Sequence, residues 1–405
     1  MRPSVTVIGL GYVGLPTAAL LAGRGLRVHG VDSSPQLRAT LAEGRVHIAE
    51  PGVEALVRQA VADGSLTIHD TPQRADVFVI AVPTPLGPGQ APMLDHVLDA
   101  ARALAPALDE GALVLLESTS PIGTTAQIGK LLRQLRPDIA DISVAYGPER
   151  VLPGRILEEL VRNNRVAGGL DPRATERAVA FYRLFVEGEV HGTEAASAEM
   201  VKLAENAFRD VNIAFANELS LIAGHHGLDV WRVIALANLH PRVDILRPGP
   251  GVGGHCIAVD PWFLAHGAPG AARLIPAARA VDAAKRDAVL EQASAVCMEG
   301  ERVICLGLAF KGDVDDLRES PALAIATELA RRHPGRVAAV EPHLAAAPPG
   351  FPAPLIPLEE ALMGPGALLV LTDHSVFAGI PPERIAGRRI IDTRGIIRLE
   401  NRPHA

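Results

Sequence analysis

Short runs of apolar residues alternate with longer segments whose apolar residues follow a helical spacing. In the first half of the chain, the short runs predict strands at residues 5–10, 27–32, 77–82, 113–117 and 142–145. Near the C-terminus they predict strands at residues 302–308, 336–340, 367–372 and 389–392. Strands that alternate with helices are typical of a parallel sheet covered by helices on both faces.

The centre of the chain has a different pattern. A helical segment without glycine or proline extends from residue 195 to about residue 223, and a second one covers residues 229–237. A loop rich in glycine and proline follows over residues 241–261, before a further helix at residues 277–298. This part of the chain is therefore predicted to be helical rather than α/β.

The two ends of the chain resemble each other in layout. Residues 5–11 and 303–309 both place a glycine after an apolar strand that leads into a helix. We therefore predict an α/β fold in which two doubly wound, Rossmann-like domains are joined by a central helical domain. The predicted boundaries are residues 1–192, 193–298 and 299–405.

Composition excludes several classes of function. The 405 residues carry a formal charge of −7, which argues against a general nucleic-acid binder. We find no uncharged apolar run of about 18 residues, and we expect neither a membrane span nor an N-terminal targeting segment. The three cysteines are too few for a disulfide scaffold, so we expect a cytoplasmic protein.

Lysine is scarce in this chain. It occurs only at Lys130, Lys202, Lys285 and Lys311, whereas the other 35 of the 39 basic residues are arginine. A compositional drift towards arginine explains most of this bias. A lysine that persists under such drift is a candidate for a role that needs a compact ammonium group.

The first predicted strand ends in a Gly-x-Gly-x-x-Gly sequence that opens a helix, and an acidic residue ends the second strand. Such glycines let the helix N-terminus approach a pyrophosphate, while the carboxylate accepts hydrogen bonds from a ribose hydroxyl and repels a 2′-phosphate. The alternative is a tight turn without a ligand. The pattern favours an NAD site that includes Gly9, Gly11, Tyr12, Val13, Gly14 and Asp32.

Two further features point to chemistry. Cys256 ends a loop with four glycines and has polar surroundings, with Asp260 four residues beyond it. In the long helix, Lys202, Asn206 and Arg209 share one face, where an ammonium and an amide suit a developing oxyanion. The alternatives are a structural cysteine and a solvated helix face.

Several segments, taken in order along nearly the whole chain, are similar to the nucleotide-sugar 6-dehydrogenase family. They are Gly-Tyr-Val-Gly-Leu-Pro from residue 11, Val-Pro-Thr-Pro from 82, Glu-Ser-Thr-Ser-Pro-Ile-Gly-Thr from 117, Gly-Pro-Glu-Arg-Val-Leu-Pro-Gly from 147, the Lys202 helix, Gly-Gly-His-Cys from 253, and Phe-Lys at 310 followed by Arg-Glu-Ser at 318. The His-Pro-Arg sequence at 240 and the loop around Cys256 most resemble the branch that oxidises UDP-N-acetylmannosamine.

The resemblance implies a four-electron oxidation of the sugar C6 alcohol by two NAD⁺. Cys256 would hold the aldehyde as a thiohemiacetal and then as a thioester, which is hydrolysed. It also implies a UDP-sugar substrate, a homodimer formed by the central helices, and no metal.

The resemblance assigns roles to the matching positions. For catalysis these are Cys256, Lys202, Asn206, Asp260, Glu149 and Thr119. Thr84, Thr119 and Arg318 would join the glycines at the cofactor. The substrate would contact Arg150, Val151, Lys202, Asn206, Arg209, His240, Arg242, Gly251 and Lys311, with Arg242 supplied by the neighbouring subunit. From the pattern alone, Thr84 and Thr119 are equally well simple turn hydroxyls.

The sequence departs from the UDP-glucose branch around the cysteine. His255 precedes Cys256, and Ile-Ala-Val-Asp follows it where that branch has Phe-Pro-Lys-Asp. UDP-glucose is therefore the less favoured substrate, while UDP-N-acetylglucosamine stays open beside the mannosamine epimer. A two-electron hydroxyacid-type dehydrogenase would need neither Cys256 nor the second α/β domain, and a nucleotide-binding dimer would make the cysteine and lysine incidental.

Overall fold

A computed structural model describes residues 2–48, 50–152, 154–254 and 256–397. The chain groups into two compact units. The first comprises Met1–Glu205 with Trp262–Ala268, and the second comprises Asn206–Pro261 with Pro269–Ala405. The division falls within the long central helix and so differs from the predicted three-part division, whose boundaries stay predictions.

The first unit contains an eight-stranded sheet in the described part of the chain. Its strands are β1 (Val5–Ile8), β2 (Val28–Val31), β3 (Leu66–His69), β4 (Val77–Ile80), β5 (Ala112–Leu116), β6 (Ile142–Tyr146), β7 (Arg165–Gly169) and β8 (Val190–Glu194). They lie in the order β3-β2-β1-β4-β5-β6-β7-β8, with Val5 paired to both Val28 and Val77. This arrangement confirms the predicted doubly wound sheet.

One pair of strands departs from the predicted parallel arrangement. β7 runs antiparallel to β6, with Ala145 opposite Gly169 and Tyr146 opposite Gly168, and β8 is parallel to β7. The strands β3, β7 and β8 were not among those predicted. They lie towards the edges of the sheet, where polar residues such as Thr67 and Glu194 interrupt the apolar runs that mark buried strands.

Burial on both faces explains why the central strands are almost entirely apolar. In β4, Val77 and Val79 belong to one apolar cluster, whereas Phe78 and Ile80 belong to the cluster on the opposite face. Successive side chains of a strand point to opposite faces, so a strand with helices on both sides contributes every residue to a core.

The helices connect these strands and form the centre of the chain. They are α1 (Gly14–Gly23), α2 (Pro35–Ala42), α3 (Val53–Ala62), α4 (Asp95–Leu104), α5 (Thr124–Leu135), α6 (Ile156–Arg162), α7 (Pro172–Tyr182), α8 (Ala195–His225), α9 (Val230–Ala237), α10 (Asp260–Gly267), α11 (Leu274–Met298), α12 (Pro321–Arg332), α13 (Leu358–Met363) and α14 (Ser375–Ala378). Within the described residues, none of them is both long and apolar enough to cross a bilayer.

Three helices begin at a capping residue followed by proline. The side chains of Ser34, Asp171 and Ser320 each accept a hydrogen bond from a backbone N–H in the first turn. Proline fits the first helical position because its missing N–H has no partner inside the helix. These pairs fix where α2, α7 and α12 start.

The second unit contains a smaller parallel sheet. Its strands β9 (Val303–Leu306), β10 (Val337–Val340), β11 (Ala367–Val370) and β12 (Ile390–Asp392) lie in the order β10-β9-β11-β12. Residues from α11 and α12 pack on one face of this sheet, together with Cys297 and Cys305. Burial raises the pKa of both thiols, that of Cys305 to about 12, so these two cysteines serve as packing residues.

Candidate active site

The glycines after β1 are required by close backbone contacts, with one exception. Gly9 has φ +91°, and a Cβ there would lie 2.5 Å from the carbonyl oxygen of Ala81. A Cβ on Gly14 would lie 1.8 Å from the carbonyl oxygen of Gly9, whereas one on Gly11 would meet nothing within 4 Å. The chain's own packing therefore does not explain Gly11, while the close approach of a pyrophosphate would.

Asp32 follows β2 and is oriented by the backbone. Its Oδ2 accepts a hydrogen bond from the N–H of Leu10 (3.0 Å), and its Oδ1 accepts one from the N–H of Ser34 (2.9 Å). The side chain is half-buried, beside the loop that carries the glycines. A carboxylate oxygen has two lone pairs, so this arrangement also fits ribose hydroxyls.

The two predicted threonines lie together at the ends of β4 and β5. The hydroxyl of the buried Thr84 donates a 2.6 Å hydrogen bond to the carbonyl oxygen of Thr119. This bond joins the two loops at the carboxyl edge of the sheet, where ligands bind in such folds. It supports the turn-hydroxyl interpretation for Thr84, and the role of Thr119 towards a ligand stays a prediction.

Glu149 is buried near the carboxyl edge of the same sheet. Its Oε2 accepts a hydrogen bond from the N–H of Val151 (2.8 Å), and its Oε1 lies 3.9 Å from Nη2 of Arg165. Burial raises the pKa of this carboxyl, while the charges of Arg165 and Lys202 act in the opposite direction. A carboxylate in such surroundings takes up a proton more readily than a solvated one, which suits a general base.

The loop around Glu149 is held by carboxylates and by one ion pair. Glu50 accepts hydrogen bonds from the N–H groups of Gly154 and Ile156, both at 2.8 Å. Arg150, predicted to contact substrate, donates to Glu205 (2.5 Å) and to the carbonyl oxygen of Asn164. Its guanidinium therefore contributes to the architecture of the first unit, and a contact with substrate stays a prediction.

The start of α8 is anchored to α5. Glu199 is completely buried and accepts hydrogen bonds from the N–H groups of Gly123 (2.6 Å) and Thr125 (2.7 Å) and from the Thr125 hydroxyl (2.6 Å). Lys202 lies one turn beyond Glu199 and is half-buried. The anchor therefore fixes the register of the helix face on which Lys202 lies.

The predicted helix face is buried only in part. Asn206 is buried, as are Leu203 and Ala207 on the neighbouring side. Arg209 is exposed, and so is the apolar Met200 in the preceding turns of the helix. The face that carries Lys202, Asn206 and Arg209 is therefore buried at Asn206 and open at Arg209, and the role of Asn206 stays a prediction.

In the second unit, three of the predicted catalytic residues lie together. The Nδ2 of Asn206 donates a 2.5 Å hydrogen bond to Oδ2 of Asp260, and both side chains are buried. The carbonyl oxygen of Cys256 accepts the N–H of Asp260 at 2.9 Å, so these two residues are one helical turn apart. The Cys256 side chain is exposed. His255 lies outside the described residues.

The glycine loop packs against the segment that contains Phe310 and Lys311. A Cβ on Gly253 would lie 2.5 Å from the carbonyl oxygen of Glu319, and one on Gly254, which has φ +84°, would lie 2.8 Å from the Phe310 ring. Gly251 has φ +134°. These contacts join the glycine loop to the predicted substrate-binding segment, and Lys311 is half-buried there.

The remaining predicted cations differ in their surroundings. The guanidinium of Arg318 forms a bidentate ion pair with Asp316, with one N–O distance of 2.6 Å. His240 and Arg242 are exposed in the turn after α9, where the Arg242 N–H lies 3.4 Å from Nδ1 of His240. Contacts of these three residues with a ligand stay predictions.

Arg394, which was not among the predicted residues, also contacts the glycine loop. Its guanidinium pairs with Asp373 (2.7 Å), and a Cβ on Gly249 would lie 2.6 Å from its Nη1. Arg394 follows the short strand β12, so its place at the carboxyl end of a strand was the signal that could have identified it.

Three side chains with metal-ligand chemistry also lie together in the second unit. The ligand atoms of Asp313, His343 and His374 lie within 4.8 Å of one another. Nδ1 of the buried His374 accepts the N–H of Asp313 (2.9 Å), and its Nε2 lies 3.1 Å from Oε2 of Glu341. Both ring nitrogens of His374 thus contact groups of the protein itself. These contacts join the loops that follow the strands, which explains why the three side chains lie together.

All three parts of the chain match one family. Residues 3–186 match the NAD binding domain of the UDP-glucose/GDP-mannose dehydrogenase family, residues 196–284 match its central domain, and residues 304–399 match its UDP binding domain. The predicted resemblance and the predicted NAD cofactor are thereby confirmed.

Individual relatives share the full length of the chain. An NDP-N-acetyl-D-galactosaminuronic acid dehydrogenase from Ralstonia nicotianae is 48% identical, over 97% of this chain and 96% of the relative. A UDP-N-acetyl-D-mannosamine dehydrogenase from Salmonella typhi is 47% identical, over 98% and 99%. The solved structure of a UDP-D-ManNAc dehydrogenase from Pyrococcus horikoshii has 39% identity and a TM-score of 0.88, over 98% and 96%.

Proposed function

Because the chain belongs to the UDP-glucose/GDP-mannose dehydrogenase family and is an NAD-dependent UDP-sugar dehydrogenase, we propose that it oxidises the C6 alcohol of a UDP-N-acetylhexosamine to the carboxylate. The observation that carries this proposal is the exposed Cys256, one helical turn from a buried Asp260 that Asn206 holds. A thiol beside a fixed carboxylate and amide suits covalent capture of an aldehyde.

The overall reaction takes one alcohol, two NAD⁺ and one water to one carboxylate, two NADH and three protons. Bound NAD⁺ supplies the hydride acceptor for each of the two oxidations. The Cys256 thiolate adds to the C6 aldehyde, and loss of hydride from this adduct leaves a thioester. Water then attacks the thioester carbon, the C–S bond breaks, and the thiolate of Cys256 is regenerated.

The neighbouring residues fit roles in these steps. An amide carries two N–H groups, so Asn206 can hold Asp260 with one of them and donate the other to an oxyanion. Lys202 supplies the second oxyanion donor, and Asp260 exchanges protons through water. Glu149 takes the proton of the water that attacks the thioester, for which its raised pKa suits it.

UDP-N-acetylmannosamine is the proposed preferred sugar. Its support is the resemblance of the His240 and Cys256 segments to the mannosamine branch, together with relatives named for this activity. The Ralstonia relative, which is equally similar, favours a galactosamine epimer as the second candidate. UDP-N-acetylglucosamine also stays open, because the epimers share the acetamido group and differ in the arrangement of their substituents.

We also propose that the protein acts as a homodimer in the cytoplasm, in polysaccharide biosynthesis. Large apolar side chains are exposed on α8 (Phe208, Phe215 and Ile222), on α9 (Leu236) and in the turn after α9 (Leu239). Large apolar side chains that stay exposed on two central helices are typical of a subunit interface. Light scattering should give twice the mass of one chain, whereas a monomer at micromolar concentration would contradict the dimer.

The test of function is a panel of UDP-sugars assayed for NADH and for product. We expect two NADH for each sugar consumed, with UDP-N-acetylmannosamine giving the highest kcat/KM and UDP-glucose a poor one. A pocket that hydrogen-bonds an acetamido group leaves buried partners unpaired when glucose binds. One NADH per sugar would contradict the covalent mechanism, and a preference for another epimer would change only the assignment of the sugar.

A further inference from the structure

The guanidinium of Arg165 lies between two buried carboxylates. Nη2 is 3.9 Å from Oε1 of Glu149, and Nη1 is 3.8 Å from Oε1 of Glu117. All three side chains are almost completely buried. Within the described residues, Arg165 Nη1, Glu117 Oε2 and Glu149 Oε1 make no hydrogen bond, so Arg165 acts on both carboxylates mainly through its charge.

The position of the guanidinium is fixed by an aromatic side chain. Cζ of Arg165 lies 4.9 Å from the centre of the Tyr182 ring, and the Tyr182 hydroxyl donates to Oε1 of Glu117 at 2.9 Å. The same hydroxyl oxygen lies 3.1 Å from the carbonyl oxygen of Gly147, a second possible acceptor for its single proton. A Cβ on Gly147 would lie 2.1 Å from that hydroxyl, so the glycine that begins the Gly-Pro-Glu-Arg segment makes room for Tyr182.

Charge is unevenly distributed in this cluster. Glu149 is faced by Arg165 from β7 and by Lys202 from α8, and Glu117 lies beyond Arg165 at the end of β5. Burial raises the pKa of both carboxyls, and the charge of Arg165 opposes this rise at each. The two carboxylates therefore compete for one guanidinium, and Lys202 is a second cation beside Glu149.

We propose that Arg165 is a positioning residue for thioester hydrolysis. Arg165 keeps the Glu149 carboxylate charged and in position, while Glu117 and Tyr182 hold Arg165 in place. This inference rests on the proposed function, because it concerns the step in which Glu149 takes a proton from water. The oxygen of that water bonds to the thioester carbon, the thiolate of Cys256 leaves, and the proton passes to the Glu149 carboxylate. Neither hydride transfer needs Arg165.

The variant that tests this role is Arg165→Gln. The variant enzyme is mixed rapidly with excess NAD⁺ and with the UDP-sugar that gives the highest kcat/KM in the panel, and NADH formation is followed. We expect a burst of two NADH per active site, followed by a steady rate reduced by about tenfold or more. Intact mass spectrometry of the quenched enzyme should show the acyl adduct on Cys256. Because ionised Glu149 is required, the acidic limb of the steady-state pH profile should move to higher pH.

One further variant serves as a matched control, and another tests the inference if Arg165→Gln does not fold. Arg177→Gln removes another partly buried arginine of the first unit, which donates to the carbonyl oxygen of Gly111 and to Ser143; it should show neither the burst nor the shifted limb. If Arg165→Gln does not fold, the Glu117→Gln variant tests the inference instead. It removes the carboxylate that competes with Glu149 for the guanidinium, so the acidic limb of the pH profile should move to lower pH.

The outcomes separate the inference from the proposed function. If Arg165→Gln slows both hydride transfers equally, without a burst or a shifted limb, Arg165 is only structural and the inference is wrong. An unchanged limb in Glu117→Gln also contradicts it. A wild-type enzyme that forms no acyl adduct and releases one NADH per sugar overturns the covalent function itself.

Discussion

Asn206 and Asp260, which are 54 residues apart in the sequence, are joined by a 2.5 Å hydrogen bond between buried side chains. Asp260 is the first residue of α10, and its N–H bonds to the carbonyl oxygen of Cys256. The amide on α8 thus fixes the turn that presents the thiol. A buried carboxylate without this donor would be costly, so the pair has a structural as well as a chemical role.

The Cys256→Ser variant should lose carboxylate formation by several orders of magnitude, because the covalent adduct cannot form. Binding of the UDP-sugar and NAD should persist, as measured by calorimetry. Cys297→Ala is the matched control, since Cys297 is buried packing and its loss should leave turnover intact. Steady NADH production by Cys256→Ser at the wild-type rate would contradict the covalent mechanism.

The Lys202→Arg variant should lose most of its activity although it keeps the charge. A guanidinium is broader than an ammonium and cannot readily lose a proton, and the chain uses arginine at almost every other basic position. Lys130→Arg, an exposed change on α5, is the control and should be neutral. A Lys202→Arg enzyme within about threefold of wild type, under 1 kcal/mol of barrier, would leave Lys202 as ordinary helix surface.

The Asp32→Ala variant should discriminate less between NAD⁺ and NADP⁺. The carboxylate is held by the N–H groups of Leu10 and Ser34, where it can bind a ribose hydroxyl and repel a phosphate. We expect the ratio of kcat/KM for the two cofactors to fall by about tenfold or more, since a hydrogen bond to a charged group contributes about 1.5–3 kcal/mol. Asp70→Ala, which changes an exposed acid after β3, should leave the ratio alone. If the kcat/KM ratio of Asp32→Ala equals that of the wild type, another acidic residue binds the ribose hydroxyl.

The fourth prediction concerns stability and pH. Asp210 is completely buried beside Arg279, and burial raises its pKa to about 7. Between pH 4 and 7 the folded state therefore binds more protons at this site than the unfolded state, so the contribution of Asp210 to stability falls as pH rises through this range. Urea unfolding at pH 5 and pH 8 should show that Asp210→Asn, relative to wild type, becomes more favourable at the higher pH. A difference independent of pH would contradict the assignment.

The strands that the sequence predicts well are those that are buried on both faces of the sheet. β1, β4 and β5 are buried on both faces, so an uninterrupted apolar run marks them. β7 and β8 escaped prediction because Arg165 begins one and polar residues fill most of the other. The exposed Phe208 in α8 shows a related limit, since an apolar stripe does not reveal whether its own chain or a partner covers it.

The candidate site was predictable to a similar degree. Asn206, Asp260 and Cys256 follow from spacing and from motifs, and the structure brings them together. Arg394 could not be found this way, because its contact with the glycine loop depends on a strand at the far end of the chain. Glu117 was part of a recognised motif, but its pairing with Arg165 depends on tertiary structure alone.

The reversal of β7 determines which edge of the sheet receives its first side chain. In a parallel arrangement, the residue that begins a strand lies at the opposite edge from the loops that bind ligands. Because β7 pairs with β6 in the reverse sense, with Tyr146 opposite Gly168, the register continued beyond the paired residues places Arg165 across from Glu149. A single change in strand direction thus brings a cation to the edge of the sheet that carries Glu149, without any additional loop.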